Sequence, residues 1–150
     1  MTSFKTRAAA ALALAVASAL TSAQDAPQQL PAIRLSTGMH VLQVQVAQTP
    51  EQQQIGLMFR KTMGTNEGML FIFDEARQQC FWMKNTLLPL SVAFIDDSGT
   101  VANIDDMKPQ TLDSHCSTKP VRFVLEMNVG WFDKRGITAG SKFQGEPFTR

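Results

Sequence analysis

The sequence predicts a mainly β protein, built as an antiparallel sandwich or a partly closed barrel with one or two short helices. Three observations support this fold class: six or seven apolar segments of strand length, glycine-containing turns between them, and little helical periodicity. The chain has 150 residues, of which 44% are hydrophobic and 18% are charged. This composition is typical of one ordinary globular domain.

The N-terminus has the three regions of a secretory signal peptide. Lys5 and Arg7 precede an uninterrupted small and apolar run over residues 8–20, and small residues follow up to Ala23. This run is shorter than the roughly 20 residues that a membrane-spanning helix needs. We therefore expect a signal peptide over residues 1–23 and a mature protein that is periplasmic or secreted, with no further membrane span.

The mature chain is expected to begin with a tether. Residues 24–32 are polar and contain two prolines, which favour an extended segment. A single β domain is expected over residues 33–150. Apolar and polar side chains alternate over residues 42–46, which is the pattern of a strand with one buried face.

A short helix is predicted after this strand. Thr49 and Gln52 have the spacing of a capping box, and Pro50 occupies the first helical position, so the helix should run to about Arg60. Two continuous apolar runs follow, over residues 69–73 and 80–83, and each is interpreted as a strand buried on both sides.

Short strands and turns are predicted for the second half of the chain. Residues 91–95 and a strand beginning at Thr100 form a β-hairpin, because the acidic loop between them is short and contains glycine. Further strands are expected over residues 121–126 and around Phe143, with one or two helical turns over residues 128–135.

Charge and known motifs exclude several classes of function. The 14 Lys and Arg residues are balanced by 13 Asp and Glu residues, so the chain has no basic surface that would predict nucleic-acid binding. The acidic pairs at 96–97 and 105–106 lack the spacing of a calcium loop and are interpreted as turn residues. No signature of a classical hydrolase or nucleotide enzyme is present, so no cofactor is expected.

Cys80 and Cys116 are the only cysteines, and in an exported protein they predict one disulfide bond. Two alternatives exist. His115 could activate a Cys116 thiolate, or the three side chains could bind a metal ion together. Both alternatives require reduced thiols, and the spacing typical of a metal site is absent.

A copper-handling function is the main alternative to ligand binding. Seven of the eight methionines lie after residue 23, and Met39 is next to His40. Soft thioethers bind Cu(I). However, Met69, Met83 and Met127 lie in apolar, strand-like contexts, so filling of the core is the favoured interpretation and no metal site is predicted.

The segment over residues 81–86 contains an aromatic ring, a cation, an amide and a hydroxyl group. This set is typical of a site for a sugar or a peptide. Alternation would place Trp82 and Lys84 on one face of a strand. From the residues alone we favour the simpler interpretation, in which the strand ends at Asn85 in a turn stabilised by Thr86.

Three ordered blocks resemble the domain of unknown function 192 (DUF192) family. They are GLMFRKTMGTNEGMLFIF at residues 56–73, FWMKNTLLPL at residues 81–90 and VLEMNVG at residues 124–130, with Gly136 and Gly140 following. The resemblance covers residues 33–145. It implies a small, often exported prokaryotic protein with a jelly-roll-like β domain, and it implies no reaction.

The resemblance also supplies candidate site residues. Arg60, Trp82, Asn85 and Glu126 lie within the three blocks, and we take them together with Lys84 as candidates for ligand binding. The family pattern usually has an aspartate where this chain has Ser91, so no role is assigned to a carboxylate there.

We expect Glu126 to be half buried, because it follows an apolar strand, and a buried carboxylate must find a cation or several donors. Arg60 is the expected partner beside Trp82 and Asn85, and Lys84 is the reserve. The predicted function is a ligand-binding or interaction module of the cell envelope that takes a small-molecule or polymeric ligand. The third alternative is a hydrolase-like enzyme that uses Glu126 as acid or base.

Overall fold

Eight strands and one α-helix form the fold over residues 25–148, which the computed structural model describes. The elements are β1 (Ala32–Thr37), β2 (His40–Ala47), α1 (Pro50–Ile55), β3 (Glu67–Arg77), β4 (Cys80–Phe81), β5 (Leu90–Ile95), β6 (Val101–Met107), β7 (His115–Cys116) and β8 (Val121–Asn128), followed by a 3₁₀ turn (Asp133–Arg135). The mainly β prediction is confirmed. The expected signal peptide lies outside the described residues, and no helix within them is long and apolar enough to span a membrane.

Six strands form one sheet in the order β1-β2-β3-β8-β5-β6, and β4 pairs with β7 in a separate ribbon. The sheet is mixed rather than antiparallel as predicted, because β2 and β3 run parallel. The connection between these two strands contains α1, and such a crossover returns the chain in the same direction. Every other pairing between neighbouring strands of the sheet is antiparallel.

Covering segments bury both faces of the sheet, which gives a sandwich-like arrangement. Trp131, Phe132 and Phe143 of the C-terminal segment pack on one face. Leu57 and Met83, from the two segments that follow α1 and β4, pack on the other face. Residues 142–144 also bridge to Ser36 and Thr100, near the two edges of the sheet, so the sheet is partly but not continuously closed.

Helix α1 has the predicted capping box, but it ends at Ile55 rather than at Arg60. Gly56 ends it with a φ of 49°, a left-handed value that favours glycine. A Cβ atom at this position would also lie 3.2 Å from the ring of Phe71. The chain therefore turns at Gly56 and directs Leu57 into the core.

The apolar run over residues 80–83 also differs from its prediction as a doubly buried strand. Only Cys80 and Phe81 belong to a strand, and Trp82 is exposed while Met83 is buried. The run instead forms part of the segment that covers the sheet. By contrast, the β5–β6 hairpin forms as predicted, with Ser91 opposite Asp106.

The predicted tether is extended but docked on the domain. Gln28 donates side-chain hydrogen bonds to the carbonyl oxygens of Gln52 and Gly56, at 2.8 and 2.9 Å. The backbone N–H of Leu30 donates to the Gln45 side chain on β2. These bonds fix residues 28–31, which we call the N-terminal strap, against β2 and the end of α1.

Candidate functional site

Glu126 lies in the middle of the sheet, on the face covered by α1 and the segment after β4. It is part of β8, where it pairs with Met69 of β3 and with Val92 of β5. Both neighbours are fully buried, and Glu126 itself is only 4% exposed. A carboxyl group therefore lies among apolar side chains at the centre of the sheet.

A narrow cleft opens above this carboxyl group. Residues 53–58 form one wall, and Phe81, Trp82 and Thr86 form the other, with Glu126 and Phe71 between them. The volume of this space, which we call the Glu126 cleft, is about 40 Å³. On this measure a water molecule needs roughly 10–15 Å³ and a pocket for a whole small molecule roughly 300 Å³ or more, so the cleft accepts a small chemical group rather than a ring.

Burial determines the protonation state of Glu126. Its side chain forms no ion pair within the described residues. Desolvation raises the pKa of Glu126 to about 8, and no neighbouring charge or hydrogen bond contributes to the shift. At neutral pH the side chain is therefore a carboxylic acid, which donates through its hydroxyl group and accepts through its carbonyl oxygen.

The predicted pair between Arg60 and Glu126 is wrong. Arg60 is buried, but its Nη2 donates to the Gln28 carbonyl oxygen at 2.9 Å and to Gln45 Oε1 at 2.6 Å. Gln45 on β2 pairs with Met69 on β3, and Met69 pairs with Glu126 on β8. Arg60 therefore binds a residue that lies two strands away from Glu126. The turn at the end of α1 directs Arg60 toward β2 and the N-terminal strap.

Trp82 provides an aromatic surface at the mouth of the cleft. Its side chain is 48% exposed although it belongs to the covering layer. Lys84, the reserve partner for Glu126, instead places its Nζ 5.4 Å from the centre of the Trp82 ring. Phe81 anchors this wall, because its ring packs edge to face against Phe71 with 4.8 Å between centroids.

Asn85 contributes a turn and a connection between the walls. Its φ of 53° is left-handed, and Thr86 donates its hydroxyl to the carbonyl oxygen of Lys84. A turn therefore forms where one was predicted, but the strand before it ends at Phe81 rather than at Asn85. The turn is held by Thr86 rather than by an Asx-type bond from the Asn85 side chain. The carbonyl oxygen of Asn85 accepts from the N–H of Phe59 at 2.9 Å and so links the two walls.

Left-handed backbone conformations occur at three described residues other than glycine: Phe59, Asn85 and Gln110. Such a conformation costs roughly 1–2 kcal/mol in most residues. All three belong to the layer above Glu126, since the N–H of Gln110 donates to the carbonyl oxygen of Thr86 at 3.1 Å.

The β4–β7 ribbon contains the predicted disulfide bond between Cys80 and Cys116, which lie opposite each other with Cα atoms 4.0 Å apart. Both sulfurs are therefore bonded, and the thiolate and the metal site that would use them are wrong. His115 Nδ1 lies 2.5 Å from Asp105 Oδ2 on β6. The disulfide joins the two strands of the ribbon, and the His115–Asp105 contact connects the ribbon to β6.

The methionines considered for copper binding divide into two groups. Met69, Met83 and Met127 are fully buried in the two cores, as the core-filling interpretation predicts. Met39 is 88% exposed, and the ring of His40 packs edge to face with Trp131.

Sequence reasoning missed the wall formed by residues 53–58 and the floor residue Phe71. The available signal was Gly56, which follows the predicted helix and opens the first DUF192-like block. A glycine at the end of a helix indicates a change of chain direction. It does not say which strand the chain will reach next.

The fold and the site define a small, mainly β domain with a buried acid below a cleft. The chain belongs to the DUF192 family, described as "Uncharacterized ACR", which matches over residues 33–145. No curated protein matches the chain significantly.

Two crystal structures are similar to this chain. A protein from Sinorhizobium meliloti 1021, described as a candidate transcription regulator, is 40% identical with a TM-score of 0.71, over 75% of this chain and 90% of that one. A protein of unknown function from Novosphingobium aromaticivorans DSM 12444 is 31% identical with a TM-score of 0.74, over 95% of this chain and 100% of that one.

Proposed function

We propose that the protein is an exported module of the cell envelope that binds an envelope polymer at the Glu126 cleft. The observation that carries the proposal is an unpaired carboxyl group, 4% exposed, that opens into a cleft beside a half-exposed tryptophan. The oxygens of Glu126 form no hydrogen bond with the described residues and reach the space of the cleft, since Arg60 Nε is the one buried, unpartnered polar side-chain atom in the described part of the chain. A ligand that supplies the missing hydrogen bonds accounts for this arrangement.

The signal-like N-terminus and the disulfide support export. Disulfide bonds persist in oxidising compartments such as the periplasm and the extracellular space. Mass spectrometry of the exported protein should find Gln24 as its first residue. A soluble exported form that retains residues 1–23 would contradict this part of the proposal.

We do not extend the description of the Sinorhizobium protein to this chain. Acidic residues nearly equal basic residues in number, and α1 has six residues with a glutamate in its first turn. Nucleic-acid binding is driven mainly by an excess of Lys and Arg near the phosphates. These features favour an uncharged ligand surface over a DNA-binding surface.

Co-sedimentation with purified peptidoglycan sacculi tests the proposed function. The mature protein should sediment with sacculi, and Trp82→Ala should remain in the supernatant with an unchanged circular dichroism spectrum. Met39→Ala is the matched control, because Met39 is also an exposed apolar residue but does not line the cleft. Release of soluble fragments would instead indicate an enzyme.

The proposal fails if the wild-type protein stays in the supernatant. It also fails if Trp82→Ala sediments as well as the wild type, because the binding surface would then lie elsewhere.

A further inference from the structure

We propose that the Glu126 cleft recognises a neutral carbohydrate residue, with the sugar ring against Trp82 and its exocyclic hydroxymethyl group in the cleft toward Glu126. This inference rests on the proposed function and specifies the chemical class of its ligand. Four features of the cleft and its walls support it.

The first feature is the size of the cleft. A space of about 40 Å³ accepts one hydroxymethyl group but not a pyranose ring. The body of the ligand must therefore lie outside, on the surface at the mouth. That surface contains Trp82 and Ile55, which are 48% and 37% exposed. A sugar ring presents C–H groups on one face, and these groups pack against an apolar aromatic surface.

The second feature is charge. Glu126 is the only charged or titratable side chain that lines the cleft in the described part of the protein. An anionic group would meet this carboxyl without a cation beside it. A cationic group would be repelled by Lys84, whose Nζ lies 5.4 Å from the centre of the Trp82 ring. A neutral sugar meets no such repulsion and only has to displace this exposed, flexible side chain from the ring face. An uncharged group that both donates and accepts a hydrogen bond is the best match for a neutral carboxylic acid.

The third feature is the hydrogen bonding of the wall backbone. The N–H of Phe59 donates to Asn85, the N–H of Met83 donates to Thr111, and the N–H of Thr86 donates to Met83. A bound peptide usually adds main-chain hydrogen bonds along an exposed strand edge. These groups of the covering layer are already paired, so recognition depends on side chains.

The fourth feature is the side chains that remain for a polar ligand. Gln54 lines the cleft and is exposed. Thr86 on the opposite wall is buried and its hydroxyl already donates to the Lys84 carbonyl oxygen, so toward a ligand it can only accept. Amide and hydroxyl groups pair with sugar hydroxyls, which act as both donors and acceptors. The site thus offers an apolar surface to one face of the sugar ring and hydrogen-bonding groups to the edge of that ring.

Two oligosaccharides that differ by one group test the inference. Cellotetraose carries a hydroxymethyl group on each sugar, whereas xylotetraose has the same linkage and ring without it. Isothermal titration of the mature protein should give a Kd for cellotetraose about tenfold lower than for xylotetraose, the effect of one well-formed hydrogen bond. Chitotetraose should also bind, because it retains the hydroxymethyl group.

Two variants locate the discrimination. Glu126→Leu removes the hydrogen bond and should bind both tetrasaccharides with the weaker affinity. Glu126→Gln retains a donor and an acceptor and should preserve part of the preference. Equal affinities for the two ligands in the wild-type protein would overturn the inference, and so would a preference that survives in Glu126→Leu.

The two proposals can fail separately. If the protein sediments with sacculi but soluble stem peptides compete and none of the tetrasaccharides binds, the binding function stands and the carbohydrate inference is wrong. If sacculi and tetrasaccharides both fail to bind, both proposals are wrong.

Discussion

Replacing Glu126 by glutamine should stabilise the protein at neutral pH. Glutamine has nearly the same shape as protonated glutamate but cannot ionise. The pKa of Glu126 is about 8 in the folded protein and near its ordinary value of 4.5 in the unfolded chain. Between these values the unfolded chain releases the proton while the folded protein retains it. The glutamate therefore favours unfolding more strongly as the pH rises through this interval.

The size of the effect follows from the same two pKa values. For each pH unit within this interval, the free energy of unfolding falls by about 1.4 kcal/mol. From 4.5 to neutral pH the folded protein loses about 3 kcal/mol relative to its stability in acid. The Glu126→Gln variant does not lose stability in this way, because glutamine does not ionise. Its free energy of unfolding should be about 3 kcal/mol higher than that of the wild type at neutral pH and nearly the same near pH 4.

Urea denaturation at several pH values between about 4 and 8 measures the difference. Glu146→Gln is the matched control, since Glu146 is exposed and its change should leave the curve unaltered. A Glu126→Gln variant with no gain at neutral pH would refute the reasoning. A loss at every pH would show that the carboxyl group has a charged partner, as the expected contact with Arg60 would have required.

Three further changes test other parts of the fold. Replacing Cys80 and Cys116 by serine should lower the free energy of unfolding by about 4 kcal/mol, the chain-entropy value for a separation of 36 residues; a loss under about 1 kcal/mol in urea denaturation would contradict this account. Arg60→Met should speed hydrogen exchange of the Leu30 amide about tenfold, because the strap loses its bond to Arg60 and the Gln45 side chain that accepts from Leu30 is no longer held by Arg60. Unchanged exchange would show that the strap docks without Arg60. Gly68→Ala should lower the free energy of unfolding by about 3 kcal/mol in thermal or urea denaturation, because its Cβ would lie 2.4 Å from a backbone oxygen of β8. Gly64→Ala is the control, because the added Cβ would meet only the flexible side chain of Glu67. Equal losses in the two variants would refute the clash at Gly68.

Local signals in the sequence predicted the local elements. The capping box at Thr49 and Gln52 forms with both of its hydrogen bonds, and the acidic loop after β5 closes the predicted hairpin. These features depend on residues a few positions apart, whose spacing is visible in the chain. Their identity is therefore sufficient to predict them.

Features that join distant segments were predicted less well. The parallel pairing of β2 and β3 depends on how the connection through α1 returns to the sheet. Strand β1 was not predicted, although Ile33 and Leu35 alternate with Arg34 and Ser36, because an alternation of four residues does not show that β2 will pair with them. In both cases the pairing is decided by tertiary contacts that the local pattern does not contain.

The candidate site shows the same division. The apolar run before Glu126 indicated half burial, and the side chain is in fact almost fully buried, whereas the cysteines correctly indicated a disulfide. The partner of Glu126 was wrong because the path of the chain after Gly56 depends on its left-handed backbone. That turn carries Arg60 to Gln45 on β2 and leaves the carboxyl group below a cleft.

The position of Glu126 argues for a function because the fold would be more stable at neutral pH with a side chain that cannot ionise in the unfolded chain. Met69 and Val92 flank it in the sheet, and an apolar side chain there would remove the cost of about 3 kcal/mol at neutral pH. Stabilising replacements of this kind are common where a residue serves activity rather than the fold. The left-handed backbone of Phe59 adds a further cost in the layer directly above it, whereas asparagine at position 85 adopts this conformation readily. Two unfavourable features thus occur around one cleft, as expected for a site that is held ready for a ligand.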